Sequence, residues 1–185
     1  MYKLCKSEQS AARQRWLEQG LLQEMLLRRY EDISISDLCA RLQIPRKSFY
    51  RYFTNKDGAL FALIDHTLME FKQYPGMTKN GAVADLEGFF YFWYERRDFL
   101  EALMRNRLSG LLVERATSHA LHEKLMPAYL LPQNQTSQEL AMTFAVCGLL
   151  AMVMQWHQRG YQETAQQIAQ VATRLLTNPL IPLTK

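Results

Sequence analysis

Between Ile33 and Lys56 the chain is punctuated so tightly that only two very short helices fit, and this limits the fold more than any other feature. Ser34 is followed three residues later by Asp37, the pattern of a capping box. A helix is therefore expected from Ile35 to about Leu42, burying Leu38 and Cys39. Pro45 suits the first position of the next helix, where its missing N–H would have no partner in any case. In that second helix Phe49 and Phe53 stand four apart and face a core, which leaves Arg46, Lys47, Ser48, Tyr50 and Arg51 outward.

From Leu42 to Lys56 there is no acidic residue, while Arg46, Lys47, Arg51 and Lys56 recur with Tyr50 and Tyr52 between them. Such a segment offers cations and phenol hydroxyls to phosphates, as a DNA-reading element does. The charge along the chain agrees. Residues 1–60 carry 11 Lys/Arg against 7 Asp/Glu, and residues 61–185 carry 11 against 11, so the whole formal excess of +4 lies in the N-terminal third. A basic head on a neutral body fits a nucleic-acid module joined to a domain with another task.

Helical periodicity runs almost throughout and no alternating strand is evident, so the chain is expected to be all-α. A first helix from about Ser7 to Arg29 places Trp16, Leu17, Leu21, Met25 and Leu26 on one face, and Glu31-Asp32 ends it. Asn55 is expected to cap a fourth helix from Lys56 toward Tyr74, broken by Pro75-Gly76. Further helices are expected over about Val83 to Arg96, Asp98 to Asn106, Leu108 to Leu125, Ser137 to Gln158 and Glu163 to Leu176. Pro127 and Pro132 mark a loop and Gly160 a helix end. The domains are expected to be 1–55, a DNA-binding head, and 56–185, a body with another task.

The apolar run Leu140 to Met154 is shorter than the roughly 18 residues of a spanning helix, so it reads as a buried helix rather than a membrane segment. With no continuous apolar stretch near the N-terminus, a cytoplasmic location is expected. Cys5, Cys39 and Cys147 have no paired spacing, so free thiols are expected.

The pattern Ile-Ser-Ile-x-x-Leu-Cys-x-x-Leu-x-Ile-x-x-x-Ser-Phe-Tyr-x-Tyr-Phe-x-x-Lys from Ile33 to Lys56 resembles the TetR family of one-component transcription regulators. Phe89 to Arg97, Asp98-Phe99 and Leu149 to Trp156 are similar to the Firmicutes-type regulatory domain of that family. Two departures stand out. The turn usually holds Ala-Gly, and here it is Leu42-Gln43, so a non-glycine residue must tolerate or avoid a positive φ. The reading helix more often starts Ser-x-Gly, and here Pro45-Arg46-Lys47 puts two long cations there.

The resemblance implies that Arg46, Lys47, Ser48, Tyr50, Arg51 and Tyr52 lie on the reading helix and that Lys56 meets a phosphate. Arg46 and Lys47, near the helix start, have the reach to read guanine edges. Ser48, Tyr50, Tyr52 and Lys56 suit phosphates, and Ser34 and Ser36 would add bonds at a helix N-terminus. It also implies a small-molecule effector in the body, with Phe89, Phe92, Trp93, Met104, Leu108, Leu112, Met126 and Phe144 as candidate pocket residues and Arg105, Arg107, His119 and Tyr129 as polar candidates. The two C-terminal helices show more apolar surface than one body covers, so a homodimer through Met152, Trp156 and Val171 is expected.

His119 and His122 lack a third ligand at metal spacing, and neither a nucleophile turn nor a Gly-rich phosphate loop is present. No metal, no cofactor and no enzymatic activity are expected. The expected function is a regulator, most simply a ligand-responsive repressor, binding a double-stranded DNA operator of (pseudo)palindromic form. The competing readings are a regulator or activator whose body docks a protein, and a small helical enzyme.

Overall fold

The computed structural model describes residues 1–5, 7–75, 82–123 and 135–177, and among these the regular structure is helical. The helices are α1 (Glu8–Leu27), α2 (Ile35–Arg41), α3 (Arg46–Tyr50), α4 (Lys56–Lys72), α5 (Ala82–Glu95), α6 (Arg97–Arg105), α7 (Ser109–Glu123), α8 (Gln135–Gln158) and α9 (Ala165–Thr177), with one 3-10 turn at Tyr30–Asp32. An isolated antiparallel bridge joins Tyr2 to Phe53. The expected boundaries of α1 to α7 and of α9 lie within a few residues of these. Helix α8 starts two residues before Ser137. Met126, Tyr129, Pro127, Pro132 and Gly76 lie outside the described residues.

The chain forms two compact units, one of Met1–Met69 with Glu101–Leu108 and the other of Glu70–Leu100 with Ser109–Lys185. In the first, the α1 stripe Leu17, Leu21 and Met25 is fully buried, as are Phe49, Phe53 and, on α4, Ala59, Leu60 and Ile64. Each large side chain removed from water contributes roughly 1.5–3 kcal/mol. Trp16 departs from the expected apolar face, being 38% exposed.

Buried polar groups in this unit are paired. Glu18 of α1 meets His66 of α4 through both oxygens at 2.9 and 3.0 Å, and Asp65 accepts from the Tyr2 hydroxyl at 2.7 Å. Glu24, 3% exposed, takes Arg28 of its own helix and Arg41 of α2, the latter at 2.6 Å. Gly20 lets the end of α2 come close, since a Cβ there would stand 2.7 Å from the Leu42 side chain.

In the second unit α5 packs on α9 and α8, and α7 packs on α8. Phe90, Phe92 and Trp93 of α5 supply an aromatic core, with Tyr91 and Tyr94 of the same run exposed. Trp93 lies nearly parallel to Phe99 at 6.2 Å, Phe92 meets Phe71 edge-on at 5.1 Å, and Phe90 meets Trp156 edge-on at 5.9 Å. The Trp93 indole N–H is buried and has no hydrogen-bond partner among the described residues.

The span Thr136–Gln158 is, by length and composition, long and apolar enough to cross a membrane, which corrects the shorter count from Leu140 to Met154. Uncharged flanking residues such as Thr136, Ser137, Gln155 and Gln158 lengthen the helix without adding charge. One face of α8 packs on its neighbours, and the other leaves Leu140 and Phe144 67% and 72% exposed.

Candidate nucleic-acid interface

Helix α2 starts at a side-chain cap and α3 at a proline. Ser34 Oγ accepts from the Asp37 N–H at 3.0 Å while the Asp37 carboxylate accepts from the Ser34 N–H at 3.4 Å, the reciprocal capping box. Those bonds, with Arg28 3.5 Å away, hold the Asp37 carboxyl below its ordinary pKa. Pro45 caps α3 from just outside it, one residue earlier than the sequence suggested.

The turn between them is closed by the Ile44 N–H donating to Cys39 O at 2.9 Å and the Gln43 N–H donating to Ala40 O at 3.1 Å. Gln43 has φ +52°, so the residue in place of the usual glycine does adopt the left-handed region. That conformation costs a side-chain-bearing residue roughly 1–2 kcal/mol. Gln43→Gly is therefore expected to stabilise the protein by about 0.5–1 kcal/mol, less than the full strain because glycine gains freedom in the unfolded chain. Urea unfolding measures this, and a loss of stability would contradict the strain.

Around this turn several expected residues are exposed. Ser34, Ser36, Arg46, Lys47, Tyr50 and Arg51 are exposed and Ser48 is half-buried. Arg46 donates to the Tyr50 hydroxyl one helical turn on, at 3.2 Å, and its guanidinium lies 5.8 Å from that ring centroid. The pair holds the Arg46 cation along α3. Tyr52 is 7% exposed and packs beside Phe53, because the chain has left α3 and turned inward there.

Lys56 is placed differently from the expectation. Its ammonium donates to the carbonyls of Tyr30, Glu31 and Ile33, the last at 2.7 Å, and sits 4.2 Å from the Tyr30 ring centroid. Desolvation there lowers the Lys56 pKa. Next to it, the Tyr30 hydroxyl donates to Asp57 at 2.6 Å, and burial together with that carboxylate raises the Tyr30 pKa.

The start of α4 thus grips the segment leading into the Ser34 cap. Lys56→Met keeps the stem and removes the donors. It is expected to destabilise the protein by about 1–3 kcal/mol, read by urea unfolding, because the carbonyls lose a charged partner. An unchanged midpoint would show the grip to be idle.

From the other side Asn106 accepts from the Tyr30 N–H at 2.5 Å and donates to Met25 O and Ala102 O at 3.0 and 2.7 Å. Asn106 was not marked by the sequence reading.

The candidate pocket residues do not fall into one described cavity. Phe92, Trp93 and Leu112 are buried core of the second unit and Phe89 is half-buried there, whereas Met104 and Leu108 belong to the first unit. Phe144, expected inside, lines an apolar surface groove of about 110 Å³ with Met152 of α8 and Leu175 of α9. Trp156, expected at an outer face, is 3% exposed, because its ring packs on Phe90 and Tyr161 and its N–H donates to Glu163 O at 2.9 Å. Val171 is 50% exposed on α9.

Residues 85–178 match a TetR-type family model described as "Transcriptional regulator C-terminal region". No curated protein matches in sequence. Among solved structures, a fatty acid degradation regulator, FadR from Bacillus halodurans, is 14% identical with a TM-score of 0.61, covering 96% of this chain and 98% of its own. A tetR-family transcriptional regulator from Streptomyces coelicolor is 18% identical with a TM-score of 0.60, covering 88% and 78%. A dihydroxyacetone kinase operon activator, DhaS, is 16% identical with a TM-score of 0.56, covering 89% and 93%. At these identities the likeness to the solved structures is one of fold.

Proposed function

Since the chain belongs to the TetR family of DNA-binding transcriptional regulators, we propose that it is a ligand-responsive repressor that grips a (pseudo)palindromic operator as a homodimer. The observation that carries this reading is the acid-free, exposed surface of Arg46, Lys47, Tyr50 and Arg51 on a capped helix-turn-helix. In this division of labour residues 1–55 read DNA and residues 56–185 bind effector and dimerise. Arg46 and Lys47 reach base edges, while Ser34, Ser36, Ser48, Tyr50 and Arg51 take phosphates. Work on chromosomal DNA places the protein in the cytoplasm.

Dimerisation is supported by the apolar stripe of Leu140, Phe144, Val171 and Leu175, 39–72% exposed along α8 and α9. Two copies joining these helices would bury that stripe in a four-helix interface. An effector is supported by Trp93, whose buried N–H lacks an acceptor among the described residues, an arrangement that costs roughly 1–3 kcal/mol unless something accepts from it. An effector favouring the spacing of heads that does not fit DNA would release the operator by its differential affinity for that state.

The test is a mobility-shift titration of the full-length protein on the DNA upstream of its own gene, with candidate small molecules added. A discrete complex that competitor DNA does not remove and that one compound dissolves is the expected result. Binding indistinguishable from that on random DNA would sink the repressor reading. Specific binding that no compound affects would remove the ligand from it.

A further inference from the structure

Beside α3 lies a groove of about 590 Å³, lined by Gln9, Ser10, Arg13 and Trp16 of α1 together with Arg51 and Tyr52. We propose that this groove is a second DNA-backbone surface, taking a phosphate outside the bases that α3 reads. Arg13 is its cation and Trp16 the plate that holds it. The inference rests on the DNA-reading role of α3.

Gln9, Arg13 and Trp16 stand at i, i+4 and i+7 along α1, at the edge of the stripe whose Leu17 and Leu21 are buried. The Arg13 guanidinium lies 4.1 Å over the Trp16 ring centroid. Stacking uses the flat face of the guanidinium and leaves its edge N–H groups, the ones that fork onto a phosphate. It also fixes a long side chain beforehand, so less conformational freedom is lost when the phosphate arrives.

The lining contains two cations and uncharged donors but no carboxylate, and Glu8, in the first turn of α1, lies outside it. Arg51, the residue that ends α3, also lines the groove, so the groove's cations Arg13 and Arg51 continue from the end of the reading helix onto α1. That continuity favours the strand already lying across α3 over a separate small anion. Trp16 keeps 38% of its surface exposed, whereas Leu17 beside it in sequence is fully buried.

The experiment measures binding of full-length wild type, Arg13→Ala, Arg13→Lys and Trp16→Ala to a random-sequence duplex of roughly 30 bp by fluorescence anisotropy over a range of salt. Arg174→Ala, on α9, controls for net charge. Arg13→Ala is expected to weaken binding about three- to tenfold and to flatten the log affinity against log salt slope by about one charge per protomer. Arg13→Lys should restore the slope. Trp16→Ala should weaken binding with the slope kept, since the cation remains.

Arg13→Ala matching wild type and Arg174→Ala in both affinity and slope would overturn the groove while leaving the reading helix in place. Wild type that binds no duplex would overturn the DNA-reading role itself. Arg13 is exposed, so its variants test the contact and not the fold.

Discussion

Phe144→Glu is expected to turn the proposed homodimer into a monomer and to lower operator affinity by roughly a hundredfold or more. Phe144 is 72% exposed in the protomer, so the substitution leaves the chain's own core untouched and its helicity should not change. A carboxylate in the apolar groove beside Met152 and Leu175 would have to be dehydrated on association with nothing there to pair it. Each head would then meet its half-site alone, without the high effective concentration that a joined second head supplies. Light scattering gives the mass and a DNA titration gives the affinity. A variant that keeps the dimer mass would move the interface elsewhere.

The second large effect is expected at Arg46. Arg46→Ala should reduce binding to specific DNA by about ten- to a hundredfold, an amount of roughly 1–3 kcal/mol, and change random-DNA binding far less. Arg46 stands at the first position of α3 and its guanidinium is held along the helix by the Tyr50 hydroxyl. At the start of a helix in the major groove an arginine approaches a guanine edge with both donors. Base-substituted duplexes would then show preference lost at one position of each half-site. Equal losses on specific and random DNA would make Arg46 a phosphate contact only.

The helix-turn-helix was legible because its signals are local. The Ser34 and Asp37 cap, the start at Pro45 and the Asn55 cap of α4, whose side chain accepts from the Gly58 N–H at 2.8 Å, each act within a few residues of sequence. Gln43 was legible as a problem, and its φ shows that the turn accepts the strain instead of changing shape.

What periodicity did not reveal is which apolar face gets covered. Trp16 sits on the edge of the apolar stripe of α1 and lies outside the core, whereas Trp156 and Phe144, on the same helix, went to opposite environments. Lys56 reads as a phosphate cation in sequence. Only the fold shows three carbonyls from residues 30, 31 and 33 arriving at its ammonium.

Asn106 carries a consequence for the order in which the protein is made. Its three bonds reach back 76 and 81 residues to Tyr30 and Met25 and four to Ala102, and it belongs with residues 101–108 to the same compact unit as the reading helices. The head is therefore not a cassette finished at its own C-terminal end. On the ribosome α1 to α4 emerge first, yet their last hydrogen bonds wait until a further stretch of chain has been synthesised. A nascent or truncated chain holds an incomplete reader, so full competence for the chromosome arrives only after part of the body has been translated.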